Sequence, residues 1–139
     1  MKKLLYILLI VPIFVVAGLN IEKVNNTLLN IQSSQELKFF NANKNIDLKN
    51  KLNFTSFKDA NIILFSDEKN VRKMIISNSY HALQMNKNSI GAIYLKKGRT
   101  QIIFIEERLK KNGLFLPLAF NKHLLTECQI NPTCLSSKY

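Results

Sequence analysis

Two runs decide the fold: Ser89–Lys96, S-I-G-A-I-Y-L-K, and Thr100–Glu106, T-Q-I-I-F-I-E. Both are rich in β-branched and aromatic residues, and Lys97-Gly98-Arg99 lies between them. Two such runs around a tight Gly-containing turn predict a β-hairpin. The alternation puts Ile93, Leu95, Ile103 and Ile105 on one face, and Tyr94, Ile102 and Phe104 on the other. Apolar residues on both faces predict a hairpin at the centre of a sheet, covered on each side.

Working outward, Ala60–Phe65 (A-N-I-I-L-F) is a short apolar run stopped by Ser66-Asp67 and reads as a buried strand. Val71–Ser77 reads as a second strand. Ser77-Asn78-Ser79 then supplies N-cap residue types before Tyr80, Ala82, Leu83 and Met85, which predicts a short helix ending by Asn86-Lys87-Asn88. A strand–helix–strand unit over 71–96 predicts a parallel pair with a right-handed crossover. After the hairpin, Glu107–Asn112 reads as a helical turn or two with Gly113 at C′, and Leu118–Leu125 as a last short helix. Nearer the N-terminus, Ile21, Val24, Leu28 and Ile31 at helical spacing predict an amphipathic helix over about 20–33, capped by Asn20. Leu37, Phe39 and Phe40 suggest a short strand, and the Asn/Lys-rich stretch 41–51 a loop. The expectation is an α/β or α+β fold, a small mixed sheet with a central hairpin (about 89–106) flanked by short helices.

Composition fits this. The 139 residues are 47% hydrophobic and 21% charged, with room for one domain. Only 4 Gly and 3 Pro leave little scope for long linkers or Gly-rich phosphate loops. Lys and Arg outnumber Asp and Glu by 20 to 9, a formal net charge of +11.

Location is read from the start of the chain. Met1-Lys2-Lys3 is a positive n-region, Leu4–Leu19 is a short apolar run broken by Pro12, and Val15 and Ala17 stand at −3 and −1 of a cleavage site. This pattern predicts a signal peptide over residues 1–17 and a mature domain over 18–139. The expected location is the periplasm, the alternative being an inner-membrane anchor formed by residues 4–19. Export changes what the positive charge meets. The expected partners are a small anion or an envelope protein, or an anionic membrane or wall polymer, and not nucleic acid.

The stretches S-N-S-Y-H-A-L (77–83), N-S-I-G-A-I-Y-L-K-K-G-R (88–99) and Q-I-I-F-I-E-E-R-L (101–109) resemble small exported proteins of campylobacter-type bacteria. The strand, Ser-rich turn and helix, followed by I-G-A-I-Y, also resemble small phosphate-type solute-binding domains. That second resemblance implies an anion held at a helix start.

On the residues themselves, Ser77, Asn78 and Ser79 sit where a strand turns into a helix. Free backbone N–H groups there, with two hydroxyls and an amide, suit an anion. Lys97 and Arg99 are the nearby cations expected to help, and with Lys96, Arg108, Lys110 and Lys111 they suggest a basic docking surface. The competing reading is ordinary capping beside a solvated hairpin tip. Glu106 and Glu107 are adjacent, so they form no acid/base pair on a strand, and Glu107 is spaced to pair with Lys111. His123, Cys128 and Cys134 match no tight zinc spacing. No nucleophile, base and orienting group come together, so no enzyme, metal or cofactor is expected. The two cysteines, in C-Q-I-N-P-T-C, are expected to form a disulfide in an oxidising compartment. Asn25-Asn26-Thr27 and Asn53-Phe54-Thr55 match the short glycosylation pattern. The functional expectation is a non-enzymatic periplasmic protein binding a small anion or a protein partner. The alternative is an envelope-associated protein acting through a basic surface.

Overall fold

The computed structural model describes residues 18–131 and 133–136. The signal segment and its cleavage site at residues 1–17 lie outside the described residues.

Helix α1 (Ile21–Leu29) starts where Asn20 accepts a hydrogen bond from the Lys23 N–H (3.1 Å), and Val24 and Leu28 bury one stripe of it. It stops at Asn30, short of the expected residue 33. The next residues instead form β1 (Gln32–Ser33), paired antiparallel with β7 (Leu114–Phe115). The remaining strands are β2 (Phe39–Asn41), β3 (Ile62–Leu64), β4 (Met74–Ser77), β5 (Ser89–Lys96), β6 (Arg99–Ile105) and β8 (Leu124–Leu125). They form one six-stranded sheet in the order β2-β3-β4-β5-β6-β8. Strands β2 to β5 run parallel, β6 is antiparallel to β5, and β8 is parallel to β6. The fold is therefore mixed α+β, with the hairpin inside the sheet and paired on both sides. Leu124–Leu125, expected as helix, are strand. Two apolar residues carry no periodicity, and the helical part is a 3-10 turn at Leu118–His123.

The hairpin register is one residue away from the sequence expectation. Its loop has two residues, Lys97 (φ 51°) and Gly98 (φ 74°), both left-handed, and Lys96 pairs with Arg99. This is the primed-turn geometry that matches strand twist. Ile93 consequently lies opposite Ile102 and Gly91 opposite Phe104, while Ala92 faces Ile103 and Tyr94 faces Gln101. The first set packs with α1, Leu48, Ile62 and Leu64 in the larger core. The second joins Leu83, Ile105 and Ile130 in a smaller core on the other face. Gly91 is required by this register, because a Cβ there would sit 2.5 Å from the Ile103 carbonyl oxygen and 2.6 Å from Phe104 Cδ1.

The smaller core takes Leu83 from α2 (Tyr80–Met85) and Ile130 from α4 (Glu127–Ile130), while α3 (Glu106–Lys111) sends Leu109 into the larger one and α5 (Thr133–Ser136) follows α4. Arg108 joins three of these helices to the sheet. It is 5% exposed, and its Nη1 donates to the carbonyls of Leu83 (2.8 Å), Asn86 (3.1 Å) and Ser89 (2.8 Å). Its Nε and Nη2 grip Glu127 at 2.5 and 3.1 Å. It is thus an interior residue, not part of a basic docking face. Glu107 accepts from the Glu127 N–H (2.9 Å), and the surface pair on α3 is Glu106–Lys110 (3.1 Å), not the expected Glu107–Lys111. Cys128 and Cys134 are disulfide-bonded, with Cα atoms 5.0 Å apart, and join α4 to α5. No helix among the described residues is long and apolar enough to cross a membrane.

Candidate binding groove

Parallel strands place their C-terminal ends on one edge of the sheet, the usual place for ligand sites in such sheets. Here β2, β3 and β4 end at Asn41, Leu64 and Ser77, and the residues just beyond each strand line a shared groove of about 670 Å³. Asn43, Asn45, Ile46 and Asp47 come from the loop after β2, Phe65 from the end of β3, and Asn78 and Ser79 from the end of β4. Ile93, Tyr94 and Leu95 of β5 and the entry to α1 complete it.

The loop after β2 has a fixed shape despite its polar composition. Asn41 Oδ1 accepts from Asn43 N–H and Asn43 Oδ1 from Asn45 N–H, each at 3.0 Å, while Asn41 Nδ2 donates to the Ile46 carbonyl at 2.7 Å. Such Asx turns are what alternating asparagines favour. They hold Ile46 against the larger core at the groove wall. Phe65, which also lines the groove, is 4% exposed and has φ 57°, with its N–H bonded to Ile76 O at 2.8 Å. A bulky residue in the left-handed region costs of order 1–3 kcal/mol. Strain of that kind is tolerated where surrounding packing fixes it.

The lining is mainly apolar, with Ile46, Phe65, Ile93 and Leu95 beside amide and hydroxyl groups. The side chains of Asn45 and Asn78 and the Tyr94 hydroxyl make no hydrogen bond within the described residues; Asn45 and Asn78 are exposed at the groove, while the Tyr94 ring packs against the smaller core. Burial, then the neighbouring Tyr80, raises the Tyr94 phenol above its ordinary value, so it stays neutral at physiological pH. Asp47 is the one lining side chain charged at neutral pH among the described residues.

The residues expected to form an anion site are separated. Ser77 is fully buried, and its Oγ lies 2.6 Å from Ser89 Oγ, which in turn donates to Gly91 O at 2.8 Å. Its hydroxyl is part of the sheet's interior. Ser79 is the N-cap of α2, accepting from Ala82 N–H at 3.1 Å. Asn78 is exposed and lines the groove. Lys97 and Arg99 do not line it. Ser77 registers with Ala92, and Lys97 lies five residues further along, on the order of 16 Å at strand rise. Arg99 instead borders a separate hollow with Asn20, Lys23 and Thr100. Asn78 and Ser79, read from the sequence as a strand-to-helix junction, line this groove together with Ile46, Phe65 and Tyr94, whose sequence signals were only a lone Ile in an Asn-rich loop and apolar strand residues.

Other candidates resolve simply. His123 is buried, with Nδ1 3.0 Å from Ile102 O, and His81 is exposed. No group of three metal-ligating side chains occurs among the described residues. Asn25 is 3% exposed and donates to Leu48 O at 2.7 Å, so the first glycosylation pattern is interior.

Fold and groove together define a small α+β domain with an open groove at the C-terminal edge of a mixed sheet. No protein-family model, curated protein or solved structure matches the chain.

Proposed function

We propose that this is a non-enzymatic binding protein of the periplasm, and that the groove at the strand ends takes a small, mainly apolar ligand without net negative charge. The observation that carries the reading is the lining. Apolar walls and unpaired amides line a space of about 670 Å³, within the range of small-molecule sites. The Asx turns of Asn41 and Asn43 fix the loop that carries Asn45 and Ile46, which suits orientation of a bound molecule rather than chemistry on it. The strained, buried Phe65 at the wall adds to this reading. A carboxylate at Asp47, with no lining cation among the described residues, counts against an anion in this groove. The disulfide Cys128–Cys134 is compatible with an oxidising exported compartment.

Two dyes test this. Nile red is uncharged and apolar, whereas anilinonaphthalene sulfonate is anionic. Nile red fluorescence should rise saturably at one site. The rise should fall at least tenfold in affinity in Asn78→Trp, which fills the groove from an exposed position. Preference for the anionic dye, or Nile red binding unchanged in Asn78→Trp, would contradict the proposal.

A further inference from the structure

The chain's surplus of positive charge is not evenly available. Lys73 Nζ is taken up by the carbonyls of Phe57, Lys58 and Ala60 at 2.6, 2.6 and 2.9 Å. Arg108 is interior, and Lys110 is paired with Glu106. Lys23 and Lys122 differ from these. They come from sequence-distant elements, α1 and the 3-10 helix at Leu118–His123, yet both line the same two adjoining hollows. Neither has a carboxylate within ion-pair distance among the described residues.

The smaller hollow, about 360 Å³, is walled by Lys23, Thr100, Gln101, Lys122 and His123, and no acidic residue among the described ones lines it. The larger, about 460 Å³, adds Lys51 to the same two lysines against a single acid, Glu22, among the described residues. Half-buried Lys23 is already restricted, so less side-chain freedom is lost when it binds. Gln101 adds a side-chain amide that makes no hydrogen bond within the described residues. The same two ammonium groups are near enough to His123 to oppose its protonation. Like charges held together without a counterion repel, and an anion between them removes that repulsion.

We propose that Lys23 and Lys122, with Gln101 beside them, form an oxyanion site of the phosphate class in the seam between α1, β6 and the 3-10 helix. Two ammonium groups supplied by two different elements suit a tetrahedral, multiply charged oxyanion, each acting as a point charge with charge-assisted hydrogen bonds. The site is distinct from the groove at the strand ends, and toward the hairpin it adjoins the hollow that Lys23, Thr100 and Gln101 share with Gly98 and Arg99. The same chemistry serves a free phosphate or a phospholipid headgroup.

Isothermal titration with inorganic phosphate at constant ionic strength, beside co-sedimentation with phosphatidylglycerol vesicles, tests the site. The comparison is between the wild type, Lys23→Gln/Lys122→Gln and the charge-matched hairpin variant Lys96→Gln/Lys97→Gln. The expected result is saturable binding that weakens at least tenfold in the first variant and stays within about twofold in the second. Binding of free phosphate identifies a soluble ligand, and vesicle binding alone, lost in the same variant, identifies a headgroup; either supports the site. Absence of both, or equal losses in the two double variants, overturns it. Unchanged circular dichroism and melting in Lys23→Gln/Lys122→Gln establishes that a loss comes from the site and not from unfolding.

Discussion

Arg108 grips Glu127 through two bonds, Nε to Oε1 at 2.5 Å and Nη2 to Oε2 at 3.1 Å, while its third nitrogen ties down the end of α2 and the start of β5. The guanidinium is buried and Glu127 is about one-third exposed. Removing either partner leaves a buried charge or its carbonyls unmatched. Glu127→Ala should cost about 3–5 kcal/mol by denaturant titration. Arg108→Lys should not restore stability, because one ammonium cannot reproduce the planar fork. A loss under about 1 kcal/mol in either variant would show that the clamp is dispensable.

The close approach of Gly91 to Phe104 predicts a large effect from a single methyl group. Gly91→Ala should destabilise by about 1–3 kcal/mol or more, as overpacking of a filled core does. Chemical denaturation gives the value, and a neutral result would mean the hairpin register is different.

The hairpin tip predicts a gain. Lys97 holds φ 51° without being glycine, and the turn type favours Asn-Gly. Lys97→Asn should raise stability by about 0.5–1 kcal/mol, from relief at a left-handed position. A fall in melting temperature would refute that turn geometry.

His123 makes stability depend on pH. Burial is the main cause of its lowered pKa, with Lys23 and Lys122 adding to it and the bond to Ile102 O opposing. In the unfolded chain the imidazole titrates near 6.5. Between the folded and unfolded values the unfolded state holds more protons, so stability rises with pH there. The full contribution is present above about 6.5 and is lost as pH falls through that value toward the folded pKa. Urea melts from about pH 5 to 7.5, bracketing the ordinary imidazole range, should show this slope, and His123→Asn should flatten it. An unchanged slope in the variant would assign the effect to other groups.

The disulfide closes a short loop, with a sequence separation of 6, so chain entropy gives it about 2 kcal/mol. Ile130, between the two cysteines, is fully buried in the smaller core. Cys128→Ser/Cys134→Ser should therefore lower stability by about that amount while far-UV circular dichroism retains the sheet. Global unfolding of the double variant would mean that the tail carries more of the fold.

Elements with dense local signals were legible in the sequence. Asn20 as a cap, the buried run at Ile62–Leu64, the hairpin and Gly113 after α3 all arise from residue types and spacing over a few positions. Features that depended on one extra or missing loop residue were not. Reading Lys97-Gly98-Arg99 as a three-residue turn moved every hairpin side chain to the wrong neighbour, because the strand period is two. Ser77 and Arg108 have polar identities but interior positions, and only the partners Ser89 and Glu127, distant in sequence, reveal why. The groove was half legible for the same reason. Asn78 and Ser79 announce a strand-to-helix junction, whereas Ile46, Phe65 and Tyr94 meet them only once three parallel strands align their ends.

The groove at those strand ends is proposed to take a small, mainly apolar ligand without net negative charge. Methyl-resolved NMR with indole as the probe addresses it directly. Saturable shifts and intermolecular NOEs are expected at the methyls of Ile46, Ile93 and Leu95, with Met85 and Leu118, exposed elsewhere, unmoved. Shifts that spread equally over Met85 and Leu118, or that grow linearly without saturation, would contradict it.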